Sequence, residues 1–482
     1  MRVNKFNSLS YFILTVTLLL GVFFRIYNLT IFKATIPFFI IVTGSYLFIS
    51  GDKKNYFKLG LLVILLGKEA NQYTYILLTV LLFNTKIFIP FRKPAKYLYL
   101  LLMVGFFSYL VNQVIEINLL AFPAFVGSFF LPASLFMVTY RYVDEEMKDD
   151  LIQYYMVLIT ILAVVAIIQF GTLGVTVDRL TGGTTSSHTL GFHMAVGFLL
   201  LFGKLFVRKT IKKFKPHEIL LFTLIFPVMF LSDAKYLMGN MIIGSFSIFL
   251  FLYIRKWLRP IVIISVAVGA FLGINYIQNK YIQLSVKSEV DVSYVSIRFI
   301  DSAKLQLYLK TLYLPINEPT VFLIGSGPGT FLSRAANSRA SDTMDKSVTI
   351  GEGQSTQVDS KLPAFIPPFT SWITSKYAVK YFGSRWYGTL FDFRSSVISF
   401  IWEFGLVGLT IFFLFFKDIF KRMSRIKVFS KKLESDAFFL QSFIVFYILN
   451  SLLAYYFEYP ETQILFWMFL GSFLRHEFDD KK

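Results

Sequence analysis

LIQYYMVLITILAVVAIIQF, residues Leu151 to Phe170, contains no charged side chain. At 1.5 Å per residue, a helix of that length rises about 30 Å, the thickness of the hydrocarbon core of a bilayer. Runs of the same kind recur from Tyr11 to Leu474. With 55% hydrophobic residues, 18% aromatic residues and a mean hydropathy of +0.61, the chain carries more apolar surface than a soluble core can hide. Only 16% of its residues are charged, against about 25% in soluble proteins. The bilayer is therefore expected to be the solvent for most of the chain. The fold class is all-α, a polytopic integral membrane helix bundle.

Working outward from that run, helices are expected near 9–26, 31–50, 57–67, 73–90, 97–115, 119–140, 151–170, 189–207, 218–232, 236–254, 260–276, 396–417, 437–457 and 462–474. That makes about 14 crossings. Lys68, Glu69, Asn71 and Gln72 interrupt the apolar stretch Phe57–Pro90, which reads as two short helices rather than one long helix. Two helices keep every basic link on one side. Those links hold Lys53, Lys54 and Lys58; Lys86, Arg92, Lys93 and Lys96; Arg208 to Lys215; Arg255 to Arg259; and Lys417 to Lys432. The bias of Lys and Arg toward the cytoplasmic side places these links, and both termini, in the cytoplasm. The net charge of +19 is thereby assigned to membrane topology, and no nucleic-acid partner is expected. Met1–Phe24 has a basic start and an apolar run without a small-residue cleavage site, and is expected to be a retained first helix. There are no cysteines, which excludes disulfides and thiolate metal sites.

Most links on the other side are brief, such as Asn28–Thr30. Gly171–His188 is longer, and Ile277–Ser395 is long enough to fold as a small domain on the membrane surface. The chain thus divides into N-terminal helices (1–276), a large extracytoplasmic loop (277–395) and C-terminal helices (396–482). The loop carries 13 Lys or Arg against 9 Asp or Glu, unlike the basic cytoplasmic links. Its aromatic residues, among them Trp372, Tyr377, Tyr381 and Trp386, argue for order. Phe365, Ile366 and Pro367-Pro368 are suited to the membrane interface.

Three local stretches stand out. The first is Asp178-Arg179-Leu180-Thr181-Gly182-Gly183, followed by His188 and a new helix. The second runs from Ser296-Ile297-Arg298-Phe299 through a helical pattern at Asp301–Leu312 into Gly325-Ser326-Gly327-Pro328-Gly329-Thr330-Phe331. The third is Trp402-Glu403-Phe404-Gly405-Leu406-Val407-Gly408-Leu409. In this order and topology they resemble the O-antigen polymerase and O-antigen ligase superfamily, bacterial membrane glycosyltransferases acting on undecaprenyl-diphosphate-linked glycans. The stretches are similar to that family's Arg-x-x-Gly segment, its Arg, helix, Gly-x-Gly-x-x-x-Phe arrangement, and its Glu-x-Gly-Leu-x-Gly helix. Ligases of the family place a histidine just ahead of the third stretch. This chain has Arg394-Ser395-Ser396 there, and its large loop contains no histidine. The resemblance therefore points to the polymerase more than to the ligase.

The residue chemistry is compatible. Guanidinium groups bind phosphate oxygens in bidentate fashion and keep their charge, so Arg298 and Arg179 are the candidate catalytic residues, neutralising a leaving diphosphate. Arg179 reads equally as an interface anchor with its head in water. Lys235, at a turn on the outer side where lysine is not favoured, is a candidate substrate-binding residue; pairing with Asp233 is the structural alternative. His188 near Arg179 fits phosphate binding or proton transfer, or a helix cap. Arg334 and Arg339 extend a basic groove for the substrate, or are simply solvated. Gly325–Gly329 reads as an anion-binding nest or, preferentially, as a turn at a helix end. His188 and His193, five apart, do not share a helix face, and no metal site is assigned. Among Asp301, Glu318, Asp342, Asp345, Glu352, Asp359, Asp392 and Glu403, nothing selects a general base.

The resemblance implies a metal-independent, cofactor-free polysaccharide polymerase in the bacterial inner membrane, its active site facing the periplasm. Its expected partners are undecaprenyl-diphosphate-linked glycans, membrane lipids and a chain-length regulator. The alternatives are ligase-type transfer to lipid A core or protein and, from another class, a lipid-linked oligosaccharide flippase. A lipid-monophosphate-dependent glycosyltransferase would need an acidic residue in the first outer loop, and Asn28-Leu29-Thr30 has none.

Overall fold

The structure is a computed structural model that describes residues 35–49, 53–65, 94–112, 121–173, 180–182, 184, 186–208, 214–232, 235–253, 303–328, 395–426, 431–453 and 460–474. Among these the fold is all-helical, with no strand. The helices are α1 (Thr35–Ile49), α2 (Lys53–Leu65), α3 (Ala95–Asn112), α4 (Ala121–Phe125), α5 (Leu131–Tyr142), α6 (Glu145–Leu173), α7 (Ser187–Arg208), α8 (Pro216–Leu231), α9 (Lys235–Tyr253), α10 (Ala303–Asn317), α11 (Pro319–Ile324), α12 (Ser396–Ile426), α13 (Lys431–Leu453) and α14 (Pro460–Leu474). A π-helical turn, Val126–Phe130, joins α4 to α5.

Stretches of α6, α7, α12 and α13 (Glu145–Gly171, Ser187–Leu205, Ser396–Met423 and Glu434–Leu452) are long and apolar enough to cross a membrane. Shorter apolar helices lie within α1, α3, α8 and α9. The expected helices 9–26, 73–90 and 260–276 lie outside the described residues, as do both termini and most of the loop 277–395. Of that loop, 303–328 is almost wholly helix, in keeping with the pattern read at Asp301–Leu312.

Several helices run past their expected boundaries through charged flanks. The helix expected at 57–67 begins at Lys53, and the one expected at 396–417 continues to Ile426. Lys and Arg are good helix formers, so a transmembrane helix carries on through its basic flank instead of stopping where the apolar run ends. Asp144 Oδ1 accepts the Met147 N–H at 2.8 Å, starting α6 six residues before the expected boundary. Glu145 and Glu146 in the first turn add favourable charge at the dipole's positive end.

Several basic residues assigned to links lie within helices, among them Lys53, Lys54, Lys96 and Lys417. Lys58 is fully buried within α2, its ammonium 2.5 Å from Asp150 of α6. Other pairs lie at the same end of the bundle: Lys54 with Asp150 at 3.2 Å, Lys148 with Asp436, and Lys204 with Glu218. Arg422 bonds Asp418 at 3.1 Å within α12. This is the end to which topology assigns the basic links.

Without water to drive them together, transmembrane helices associate by close packing at small residues. α5 and α14 make the most extensive pairing among the described helices. Gly471 of α14 lies against the Phe136 carbonyl and the Thr139 hydroxyl, where a Cβ would not fit. Gly203 faces the Ser435 carbonyl across α7 and α13, and Gly244 faces the backbone of Phe446 across α9 and α13. Around these crossings Trp467 is buried among the rings of Phe129, Phe136, Phe415 and Phe466.

Removing one member of a buried ion pair leaves the other charge uncompensated, at a cost of about 3–5 kcal/mol. Asp436→Leu, which removes the carboxylate beside the buried Lys148 ammonium, is therefore expected to lower the melting temperature in detergent markedly. Adding Lys148→Met should restore most of the loss, and a double-mutant cycle measures the coupling.

Candidate functional site

The other end of the bundle is held by neutral polar groups. Ser186 Oγ accepts the Thr189 N–H at 3.1 Å, capping α7. Just before it, Gly182 adopts a left-handed conformation (φ 58°), and its N–H donates to Gln169 Oε1 at 2.8 Å. Thr184 Oγ1 lies within hydrogen-bond reach of the carbonyls of Thr181 (2.7 Å) and Ser186 (2.9 Å), and Leu180 is buried. Asn240 Nδ2 of α9 donates to Asn450 Oδ1 of α13 at 2.8 Å, and Asn450 Nδ2 donates to the Phe446 carbonyl. Ser395 Oγ, at the head of α12, donates to the Ser451 carbonyl at 3.2 Å. Gln463 Nε2 of α14 donates at 3.0 Å to the carbonyl of Ser128, in the π-helical turn. Deeper in, Tyr155 Oη and His193 Nδ1 are 2.9 Å apart, both residues fully buried. The carboxylates of Glu403 and Glu461 are buried as well.

The second and third stretches singled out in the sequence meet in space. α12 breaks at Gly405, where φ is 62° and ψ −166°, outside helical values. At the break, the carbonyls of Trp402 and Glu403 accept hydrogen bonds from the turn after α11. The Ser326 N–H donates to Trp402 O at 2.8 Å, and the Gly327 N–H donates to Glu403 O at 3.1 Å. Ser326 Oγ also donates to Trp402 O at 2.9 Å. From α3, Ser108 Oγ donates to Gly325 O at 3.1 Å. Trp402 Nε1 donates to Thr311 Oγ1 of α10 at 2.9 Å.

The glycines are required here. A Cβ on Gly405 would stand 2.5 Å from the Gly325 nitrogen, and one on Gly325 (φ 84°) would run into the Glu403 carbonyl. Phe404 fills the joint from the side, stacked on Phe400 at 4.6 Å between ring centroids and 5.0 Å from Phe125. Gly105 of α3 leaves room for it.

This geometry decides between the two readings of the glycine cluster. The N–H groups of Gly325, Ser326 and Gly327 all donate to protein carbonyls, those of Val321, Trp402 and Glu403. They form a structural joint, not an anion nest. The candidate residues fare variously. Arg298, Arg179, Arg334 and Arg339 lie outside the described residues. Lys235 is the first residue of α9, five positions before Asn240. His188, the second residue of α7, is exposed, while His193 on the same helix is buried, so the two occupy different faces. The cap of α7 is Ser186, not His188.

Residues that sequence reasoning passed over are Ser108, Gln169, Asn240, Asn450 and Glu461. The available signal was a lone amide, hydroxyl or carboxyl within an apolar helix, which in a membrane nearly always faces a partner inside the bundle. No protein-family model matches the chain, and no curated protein matches it.

Gly405→Ala is expected to destabilise the fold by more than the about 1–2 kcal/mol of a left-handed residue, because its Cβ also strikes Gly325. Gly239→Ala on α9, where a Cβ meets nothing within 4 Å, should be neutral or slightly stabilising; melting curves of both variants in detergent make the comparison. Asn240→Leu alone should cost about 1 kcal/mol, and Asn450→Leu added to it should recover part of that.

Proposed function

We propose that this chain is a membrane glycosyltransferase, a surface-polysaccharide polymerase that elongates glycans carried on undecaprenyl diphosphate at the periplasmic face of the bacterial inner membrane. The observation that carries this reading is the joint itself. Two stretches that resemble the polymerase and ligase superfamily, separated by some 70 residues of sequence, interlock through backbone hydrogen bonds at Ser326–Trp402 and Gly327–Glu403. The first stretch, around Gly182, folds at the same end of the bundle as the heads of α7, α9, α12 and α14. Motifs with a shared task are expected to meet in space, as the second and third stretches do.

In the proposed reaction, a hydroxyl oxygen of the incoming lipid-linked repeat unit attacks the anomeric carbon of the growing chain. The bond from that carbon to the diphosphate oxygen breaks, and undecaprenyl diphosphate leaves. The hydroxyl proton passes to a carboxylate of the protein. Arg298 and Arg179 neutralise the charge that builds on the leaving diphosphate. Lys235, His188, Arg334 and Arg339 are the proposed binding residues for the lipid-linked substrates. A chain-length regulator is the proposed protein partner. The lack of a histidine in 277–395 favours polymerase over ligase.

Complementation of a deletion strain tests the assignment. Arg298→Ala and Arg179→Ala should each abolish or shorten the polymer at unchanged membrane levels of the protein. Normal polymer from both variants would remove these two residues from the mechanism. The deletion itself separates the activities: a polymerase mutant still attaches single repeat units, a ligase mutant accumulates full-length polymer on the lipid carrier, and an unaltered polymer would defeat both readings.

A further inference from the structure

α10 and α11 expose apolar side chains: Leu312 is 74% accessible, Tyr313 57%, Ile316 75% and Leu323 51%. In a loop domain bathed in water such a face is a liability. We propose that α10, α11 and the Gly325–Pro328 turn are a re-entrant membrane segment, and that the exposed face is covered by the acyl chains of the bilayer. The proposal does not rest on the glycan chemistry.

Depth is the first argument. From Ser396 to Phe416, α12 carries one ionisable residue, Glu403, before the charged flank begins at Lys417. Gly405 lies about 14 Å along the helix from Ser396, near the middle of a hydrocarbon core about 30 Å thick. α3 reports the same depth independently. Ser108 lies about 18 Å along α3 from Lys96, and the Tyr97 and Phe415 rings, 6.5 Å apart, tie the charged ends of α3 and α12 together. Both helices therefore place Gly325, bonded to Ser108 and Gly327 to Glu403, well inside the bilayer.

Backbone satisfaction is the second. Non-helical backbone at membrane depth is tolerated only where protein buries it and completes its hydrogen bonds. Gly325, Ser326, Gly327 and Pro328 are all buried. Their three N–H groups have carbonyl partners, and proline has no N–H to satisfy. A turn at a water surface would have no such requirement.

Continuity is the third. The helices that clasp the turn expose apolar side chains of their own, Phe107 and Leu110 on α3 and Val407 and Phe413 on α12. Leu312, Tyr313, Ile316 and Leu323 add to that exposed apolar surface, which exposed Asn317 and Glu318 interrupt at the junction of α10 and α11.

The absence of cysteine allows single-cysteine labelling without a prior background. Leu312→Cys, Ile316→Cys and Leu323→Cys, each at an exposed position that leaves the core untouched, are reconstituted in nanodiscs of phosphatidylcholine and phosphatidylglycerol. Phe413→Cys is the lipid-facing control and Glu146→Cys, with a side chain 91% accessible, the aqueous one. A thiol in apolar surroundings ionises poorly, so a charged maleimide should react about tenfold more slowly at the three positions than at Glu146→Cys. Nitroxides there should collide with dissolved oxygen and not with a water-soluble relaxant, as at Phe413→Cys. Labelling as fast as at Glu146→Cys, with relaxant collisions, would put the face in water and overturn the proposal. Protection from both oxygen and relaxant would mean that protein covers the face, and would overturn it as well.

Discussion

A polar backbone group inside a bilayer has no water to turn to, so any departure from regular helix must be matched by a partner of the right shape. At Gly405 the helix α12 departs from regularity, and the partner is the turn at Gly325–Gly327. Each side supplies what the other lacks: carbonyls turned off the helix axis on one, N–H groups outside any helix on the other. The position of α10 and α11 follows from this exchange, because the joint and the Thr311–Trp402 bond leave them no freedom to drift from α12. α3 is drawn in through Ser108 and through the space at Gly105 that admits Phe404.

The two ends of the bundle use different chemistry. One is pinned by ion pairs, including Lys58–Asp150 and Lys148–Asp436, in which a buried lysine meets a partly exposed carboxylate. The other is pinned by amides and hydroxyls, with Glu461 as its buried carboxylate. Between the two, helices close on one another at Gly203, Gly244 and Gly471 and through a core of stacked rings, among them Tyr447 on Phe466 with centroids 4.0 Å apart. Ion pairs suit an end where the helices run on through their basic flanks. Amides suit an end where the helix heads meet short turns and where neutral donors can be buried at less cost than charges.

The helical bundle was legible in the sequence because hydropathy is a one-dimensional signal: a run such as Leu151–Phe170 states its own length. The ends of the runs were less so, since Lys53, Lys54 and the basic tail of α12 are helix formers that hydropathy alone counts as links. The glycine-rich stretches could be picked out but not paired, because nothing in Gly325-Ser326-Gly327 announces that its N–H groups serve carbonyls at Trp402 and Glu403. That relation spans the chain and exists only once α12 has broken. The Asn240–Asn450 bond was hidden for the same reason. Of the candidate site, His193 was correctly separated from His188 by helical geometry, whereas the cap of α7 belongs to Ser186 because a serine one residue ahead of the helix reaches the Thr189 N–H.

A Cβ on Gly405 would strike Gly325 and Leu323, and a Cβ on Gly325 would strike the backbone of Glu403 and Phe404. Each position is therefore bound to the other chain segment: a side chain at Gly405 displaces the turn that fills the break, and one at Gly325 displaces the backbone of α12 just ahead of the break.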